Sequence, residues 1–280
     1  MLEIPLAKTT LADIFLLKHG AETVNLAPRQ SVCAFRGLHF LEEHPFVLGF
    51  EKREWLVEKG CAFLTERGRI HEYSHLRGMP ADTVFSVRFH QPLVDCMHVE
   101  LPDVRFTQLE SFLGFRNDLR FLRWRWTRIA KECLDFATDA WVMDLIVAAY
   151  LPSPRKISRS FPEAQLAWYA ERIEAAREQL TKRFADQHLL LTLARSVGMS
   201  PFQFARIFRE LTGFAPHQYL LKVRYREALH MLRDGASVTE TCFRSGFSNL
   251  SHFTRGFRKR FGQNPSSFRA IPRSHSVARV

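Results

Sequence analysis

Residues 193–213 read LARSVGMSPFQFARIFRELTG, and their pattern returns in residues 241–262, TCFRSGFSNLSHFTRGFRKRFG. Each copy predicts a short helix, a turn that contains glycine, and a second helix that ends at glycine. The turn glycines, Gly198 and Gly246, are 48 residues apart, whereas the second helices repeat at an offset of 49 residues. The second turn is therefore one residue longer. The repeat predicts two helix-turn-helix units.

Capping residues mark both ends of each second helix. Ser200 is the predicted N-cap in the first unit, with Pro201 at the first helical position, and Asn249 is the equivalent N-cap in the second unit. Gly213 and Gly262 are placed where a helix ends in a left-handed residue. These four signals and the proline set the bounds of the two helices.

Apolar residues recur at helical spacing along each second helix, which predicts an inner face packed against a core. The residues of this face are Phe204, Ile207, Phe208 and Leu211 in the first unit, and Phe253, Phe257 and Phe261 in the second.

The opposite faces carry the functional hypothesis, because early residues of the second helix of a helix-turn-helix contact base edges in the major groove. The base-edge candidates are Phe202, Gln203, Arg206, Leu250, Ser251, His252 and Arg255. The phosphate candidates, which would set affinity but not sequence preference, are Arg209, Arg244, Arg258 and Lys259. For each residue the alternative is a solvated helix face.

The charge of the chain is unevenly distributed. Residues 1–162 contain 21 Lys or Arg and 20 Asp or Glu, a net of +1, whereas residues 163–280 contain 19 and 9, a net of +10. This asymmetry indicates that the C-terminal part binds a polyanion, although a solvated basic surface is the competing interpretation.

The five cysteines are scattered and form no C-x-x-C pair, which argues against a zinc finger or a disulfide framework and fits a reducing cytoplasm. The N-terminus has no signal-peptide pattern, and the longest apolar stretch, residues 141–151, is interrupted by Asp144 and too short to span a membrane. We therefore expect a cytoplasmic protein with no membrane partner.

Residues 152–162, PSPRKISRSFP, are typical of a linker. Upstream, short apolar runs between residues 24 and 100 predict strands: SVCAF, PFVLGF, REWLV, CAFLT and TVFSVRF. From residue 112 to residue 136 apolar residues at steps of three and four predict a helix, or two consecutive helices, that packs on the strands or pairs with a second subunit. We predict a first domain at 1–151, a linker at 152–165, a DNA-binding domain at 166–272 and a tail at 273–280.

The stretches GMSPFQFARIFRELTGFAPHQYLLKVR (198–224) and GFSNLSHFTRGFRKRFGQNPSSFR (246–269) resemble the DNA-binding domain of AraC/XylS-type transcriptional regulators. The resemblance covers about 100 residues. It implies a seven-helix domain in which a long helix, about residues 216–232, separates two units that enter successive major grooves. Leu189, Leu250 and Gly256 depart from the usual pattern. Gly256 in particular predicts a weak second recognition helix, because an interior glycine costs roughly 1 kcal/mol relative to alanine.

The same resemblance implies that residues 1–151 form a cupin-like β-barrel with trailing helices, which serves as a sensing and dimerisation domain. With the all-α domain that follows, the fold class is α+β. GCAFLTERGRIHEYSH (60–75) matches part of the second cupin motif, with Gly60, Gly68 and His71 in place. The paired metal histidines of the first motif are absent, and His39, Glu42, Glu43 and His44 have the wrong spacing. We expect no metal and no cofactor, and His71 to be an ordinary surface or loop residue. Phe46, Trp55, Phe63 and Phe85 are candidates to line a cavity for a small effector.

These features predict a non-enzymatic transcription factor that binds specific sites on double-stranded promoter DNA. A small-molecule effector, RNA polymerase and a second copy of the chain are candidate partners. The alternative is a metal-dependent cupin enzyme fused to a DNA-targeting helix-turn-helix module, which would need three metal ligands on the barrel strands.

Overall fold

The structure is a computed structural model that describes residues 2–20, 26–50, 53–91, 111–132, 135–150 and 160–269. The chain divides into two compact units, Met1–Ala170 and Glu171–Val280. Most of the predicted linker and the whole predicted tail lie outside the described residues, so the domain boundaries stay a prediction.

The described part of the first unit contains ten strands: β1 (Leu2–Lys8), β2 (Ala12–Lys18), β3 (Arg29–Val32), β4 (Gly37–Glu43), β5 (Phe46–Phe50), β6 (Arg53–Val57), β7 (Ala62–Thr65), β8 (Ile70–His75), β9 (Thr83–Phe89) and β10 (Phe112–Gly114). The five predicted apolar runs coincide with or overlap β3, β5, β6, β7 and β9. Strands β1 and β2 precede the region in which strands were predicted.

The strands form two antiparallel sheets. The larger sheet has the order β1-β2-β9-β4-β7-β10, and the smaller has the order β3-β8-β5-β6. Strand β4 shows how the larger sheet is covered on both faces, because successive side chains of a strand point to opposite sides. Leu38 and Phe40 pack in a core with two helices. Leu41 packs in a second core with residues of the smaller sheet, including Phe46 and Leu48.

Two helices, α1 (Asn117–Glu132) and α2 (Asp135–Tyr150), cover the outer face of the larger sheet. Leu122 and Trp126 of α1 and Trp141 of α2 are buried in the core beneath them, and the Trp141 indole N–H donates to the Leu122 carbonyl at 2.8 Å. The predicted helical seam therefore packs on the strands. Its start was wrong, because Phe112 lies in β10 opposite Phe63 and the helix begins five residues later. The side chains at positions 133 and 136 are outside the described residues.

The second unit is helical. Helix α3 (Glu163–Lys182) crosses the boundary between the units, and it is followed by α4 (Leu190–Ser196), α5 (Pro201–Thr212), α6 (Pro216–Arg233), α7 (Val238–Arg244) and α8 (Leu250–Phe261). A single 3₁₀ turn, Pro265–Phe268, follows α8. The described part of this unit thus has six α-helices and one 3₁₀ turn, whereas the resemblance implied seven helices. The predicted long helix is α6.

The α+β class and the helical C-terminal domain are confirmed. The predicted cupin-like β-barrel is not confirmed, because the described strands form two separate facing sheets and no closed barrel. Among the described residues, no helix has both the length and the apolar composition of a membrane span.

Candidate nucleic-acid interface

The first helix-turn-helix consists of α4, a four-residue turn and α5. Gly198 in the turn has a φ of +67°, a left-handed conformation that glycine adopts without steric cost. The Ser200 hydroxyl accepts the backbone N–H of Gln203 at 3.3 Å and caps α5, which begins at Pro201. The helix ends at Gly213, whose φ is +81°. The predicted caps of this unit are confirmed.

The inner face of α5 is fully packed. Phe204, Ile207 and Phe208 have no exposed side-chain surface, and Leu211 has almost none. The Phe204 and Phe208 rings meet edge to face with centroids 5.4 Å apart. This packing fixes the rotation of α5 about its axis and therefore fixes which residues face outward.

The outer face of α5 presents the candidates for base contact. Phe202 is 81% exposed, which is unusual for a large apolar side chain. Arg206 follows one turn later with 52% of its side chain exposed, and its guanidinium lies 3.6 Å from the Glu210 carboxylate. Arg209 is also exposed, whereas Gln203 is half-buried.

The second helix-turn-helix consists of α7, a five-residue turn and α8, so the extra turn residue is present. The Asn249 side-chain oxygen accepts the backbone N–H of His252 at 2.8 Å. Gly262 ends α8 with a φ of +75°. Gly246 in the turn has a φ of +84°, and a Cβ there would lie 2.7 Å from the Ala185 carbonyl oxygen. Glycine is required at this turn both by conformation and by space.

Phenylalanines anchor the inner face of α8. Phe253 and Phe257 are fully buried, with ring centroids 5.7 Å apart. Phe261, which is half-buried, packs on Phe257 at 4.5 Å and on Phe268 of the 3₁₀ turn at 6.0 Å. The predicted inner face is confirmed in both units.

A shallow groove runs along the outer face of α8. It brings together five candidates for base or phosphate contact with three neighbours that were not predicted to lie there. The lining residues are Leu250, Ser251, Thr254, Arg255, Arg258, Lys259, Gly262 and Asn264. Thr254 could have been found from its position one helical turn after Leu250. His252 is exposed but does not line the groove.

One candidate for phosphate contact, Arg244, already forms an ion pair within the protein. Arg244, near the end of α7, has its guanidinium 3.0 Å from the carboxylate of Glu240, and both side chains are largely exposed. An exposed pair at helical i,i+4 spacing contributes only about 0.3–0.5 kcal/mol, so a phosphate can displace the carboxylate at low cost.

The interpretation of Gly256 as a weak point of α8 was incomplete. A Cβ at this position would lie 1.9 Å from the Tyr225 hydroxyl oxygen and 2.9 Å from its Cζ. Tyr225, on α6, is buried and its ring stacks on Phe253 at a centroid distance of 6.0 Å. The missing side chain of Gly256 therefore gives Tyr225 room to pack against the backbone of the recognition helix.

Residues 193–271 match the family of helix-turn-helix domains. This segment is an AraC-type helix-turn-helix domain. The HTH-type transcriptional activator RhaS of Escherichia coli is 34% identical over 101 residues, which are 36% of this chain and 36% of RhaS. The chain thus spans little more than a third of the length of the relatives it matches.

Two solved structures are similar over about a third of this chain. The DNA-binding domain of AdpA, a global transcriptional factor solved in complex with a target DNA, is 35% identical, with a TM-score of 0.31 over 36% of this chain and 87% of that one. A probable AraC family transcriptional regulator from Rhodopseudomonas palustris is 29% identical, with a TM-score of 0.33 over 35% of this chain and 94% of that one.

The AraC-type domain has a structural residue that the sequence did not reveal. Arg224 of α6 donates from Nε to the Phe184 carbonyl at 2.7 Å and from Nη2 to the Asp186 carbonyl at 2.8 Å. It thereby binds the turn after α3 to the long helix. Leu189, which departs from the usual sequence pattern of the family, is the N-cap residue of α4. Its side chain is exposed and makes no capping hydrogen bond, as expected for leucine.

A second candidate site lies in the first unit, as a cavity between the two sheets. Phe46 and Phe63 line it as predicted. Phe85 was wrongly assigned, because it points to the other face of β9 and packs under the helices, and Trp55 is not among the lining residues. His71 lies in strand β8, half-buried against the cavity, and not in a loop.

The sequence predicted no metal site at His39, Glu42, Glu43 and His44, because their spacing is wrong. Within the described residues, no three His, Cys, Asp or Glu side chains are arranged to hold a metal ion. His39 is instead buried, with its ring nitrogens 2.9 Å from the Ser86 hydroxyl and 2.8 Å from the Thr65 hydroxyl.

Proposed function

We propose that this protein is a sequence-specific DNA-binding transcription factor. The observation that carries the proposal is the division of α5 and α8 into two faces. Each helix is locked by capping and by buried phenylalanines on one side, and each presents exposed polar, basic and apolar side chains on the other. A recognition helix needs this combination of fixed orientation and free outer face.

The proposed mechanism places α5 and α8 in the major groove. Arginine binds guanine O6 and N7 in a bidentate manner, which suits Arg206 and Arg255, and Gln203 suits adenine. Phe202 and Leu250 offer apolar contact for a thymine methyl group, and Ser251 and His252 complete the set of base-edge candidates. Arg209, Arg244, Arg258 and Lys259 are assigned to phosphates.

The length of α6 supports simultaneous binding of both units. Its 18 residues span about 27 Å at the rise of an α-helix. One turn of B-DNA advances roughly 34 Å, so a helix of this length is of the right order to hold the units over successive grooves on one face of the duplex.

The first unit is proposed to be a cupin-like sensing domain, with the cavity between its sheets as the effector site. A homodimer and a contact with RNA polymerase are further proposals for a regulator of this kind. We also propose a cytoplasmic location, because a promoter-binding protein must reach the chromosome.

The test is a mobility-shift titration of the full chain on genomic fragments with excess competitor DNA. We expect a small set of fragments to bind far more tightly than bulk DNA. Binding that shows no preference among fragments would refute the proposal.

Arg206→Ala tests the base contacts on the selected fragment. We expect a loss of about 1–3 kcal/mol, confined to sequences that carry the contacted base pair. Arg226→Ala is the matched control, because Arg226 is an exposed arginine on α6 that pairs with Glu227 at 3.1 Å. An equal loss on all sequences would reassign Arg206 to a phosphate.

A further inference from the structure

The cavity between the sheets has a volume of about 260 Å³ and is bounded by both sheets. Its walls are mainly apolar and aromatic, and they include Phe35, Phe46, Phe63 and Tyr73. An apolar cavity of about 150 Å³ suffices to bind benzene, so this one has room for a single ring with a short substituent.

Asp82 supplies a carboxylate to the lining of this cavity. One oxygen lies 2.9 Å from His19 Nδ1 and the other lies 2.7 Å from His75 Nε2. Burial raises the pKa of Asp82, but the hydrogen bonds and charges of the two histidines outweigh it and hold the pKa below its usual value. Each carboxylate oxygen has a second lone pair, so the ionised group can accept a further donor.

Two histidines are paired with Asp82, and one of them, His19, also lines the cavity. The other titratable groups along the wall add no positive charge to the cavity. Glu3 is paired with Arg88 at 3.1 Å, and Arg88 lies behind Phe35, with its guanidinium 4.1 Å from the ring centroid. Burial lowers the pKa of His71 and, to about 3, the pKa of His39, which favours the neutral form of both imidazoles. Among the described residues that line the cavity, none is Lys or Arg.

We infer that the cavity binds a small amine with an aromatic or branched apolar body, with Asp82 accepting the ammonium group and the phenylalanines surrounding the body. The aromatic faces add cation–π attraction for the same charge. A carboxylate or phosphate ligand would meet a buried carboxylate and no lysine or arginine, and the lining His19 is already paired with Asp82, so we expect such ligands to bind most weakly. The inference rests on the proposed sensing role of the first unit, and it names the class of effector.

Three probes of nearly equal size separate charge from shape: benzylamine, benzyl alcohol and benzoate. Each is titrated into the full chain by calorimetry, without DNA. We expect benzylamine to bind about tenfold more tightly than benzyl alcohol, the gain of one charge-assisted hydrogen bond, and benzoate to bind most weakly. Equal affinity for the amine and the alcohol, tighter binding of benzoate, or no binding of any probe would overturn the inference.

Asp82→Asn should abolish the preference for the amine. The matched control is Asp13→Asn, because Asp13 also pairs with a histidine, His90 at 3.2 Å, but does not line the cavity. If Asp82→Asn does not fold, Ala34→Trp places a bulky side chain at the cavity wall and should block all probes. Unchanged benzylamine affinity in that variant would place the binding elsewhere. Because no DNA is present, this result is independent of whether the mobility-shift test succeeds.

Discussion

At the scale of single residues, His39 shows how the core of the first unit is specified. Its ring is held by Ser86 and Thr65 and stacks on Phe63 with centroids 4.9 Å apart. A neutral imidazole can satisfy both hydroxyl partners, because one ring nitrogen donates and the other accepts. A charged imidazole would have to be buried without a counter-charge, which is why the pKa falls to about 3.

This burial predicts a pH dependence of stability. The unfolded His39 takes up a proton near its ordinary pKa of about 6.5, whereas the folded residue stays neutral down to about 3. The unfolded state therefore binds more protons between these values, and stability falls as the pH is lowered through this window. Between pH 7.5 and pH 5.5 we expect a loss of about 1.4 kcal/mol from this residue.

Urea unfolding followed by tryptophan fluorescence measures this loss selectively, because all five tryptophans lie within residues 1–170. His39→Gln is the comparison, since glutamine keeps donor and acceptor atoms but does not titrate. If wild type and His39→Gln lose the same stability between the two pH values, His39 is not the cause.

At the scale of elements, the contact between α6 and α8 shows why helix propensity alone misjudged Gly256. Helix propensity alone marks Gly256 as a defect of α8. In the folded domain the same glycine is the point at which the Tyr225 hydroxyl meets the helix backbone. Tyr225 also contacts Phe247, at 4.8 Å, and Phe257, at 6.3 Å, so it joins the turn and the recognition helix to α6.

A double-mutant cycle tests this relationship. In wild type, Gly256→Ala forces Tyr225 to move and should destabilise the C-terminal unit by about 1–3 kcal/mol. In a Tyr225→Leu background the clash is gone, and the same change should stabilise by up to about 1 kcal/mol because alanine favours the helix. Thermal unfolding followed by circular dichroism measures both, and an identical effect of Gly256→Ala in the two backgrounds would contradict the assignment.

Local signals were sufficient to predict the helix-turn-helix units. Caps and stop glycines depend on residues within four positions of one another, and Ser200, Asn249, Gly213 and Gly262 all have the predicted roles. The partner of Gly256 is 31 residues away in sequence, so no local pattern could indicate it. The cavity was predicted only in part for the same reason, because its walls are assembled from strands of two sheets whose pairing the sequence pattern does not specify.

At the scale of the whole molecule, the positive charge is concentrated in the part that carries the recognition helices, with a net of +10 in residues 163–280 against +1 in residues 1–162. Cationic side chains that bind phosphates release condensed counterions from DNA. The logarithm of the binding constant therefore falls linearly with the logarithm of the salt concentration. The slope of this plot measures the number of phosphate contacts, whereas the difference in affinity between DNA sequences measures the base contacts.

Lys259→Ala should therefore reduce the magnitude of the salt slope by about 1 and weaken binding on all sequences alike. Its control is His252→Ala, a change on the same helix that removes a base-edge candidate and should alter sequence preference while leaving the slope unchanged. The measurement is a fluorescence-anisotropy titration at several salt concentrations. A change of sequence preference in Lys259→Ala with an unchanged slope would contradict the phosphate assignment.

The contact between Tyr225 and Gly256 also constrains the order in which the two residues could have arisen. An ancestor with a smaller residue at 225 could accept glycine at 256 for about 1 kcal/mol of helix propensity. An ancestor with a side chain at 256 could not accept tyrosine at 225 without a clash at 1.9 Å from its Cβ. Glycine first and tyrosine second is the order that avoids the clash, and with Tyr225 in place a reversion of Gly256 alone would cost about 1–3 kcal/mol.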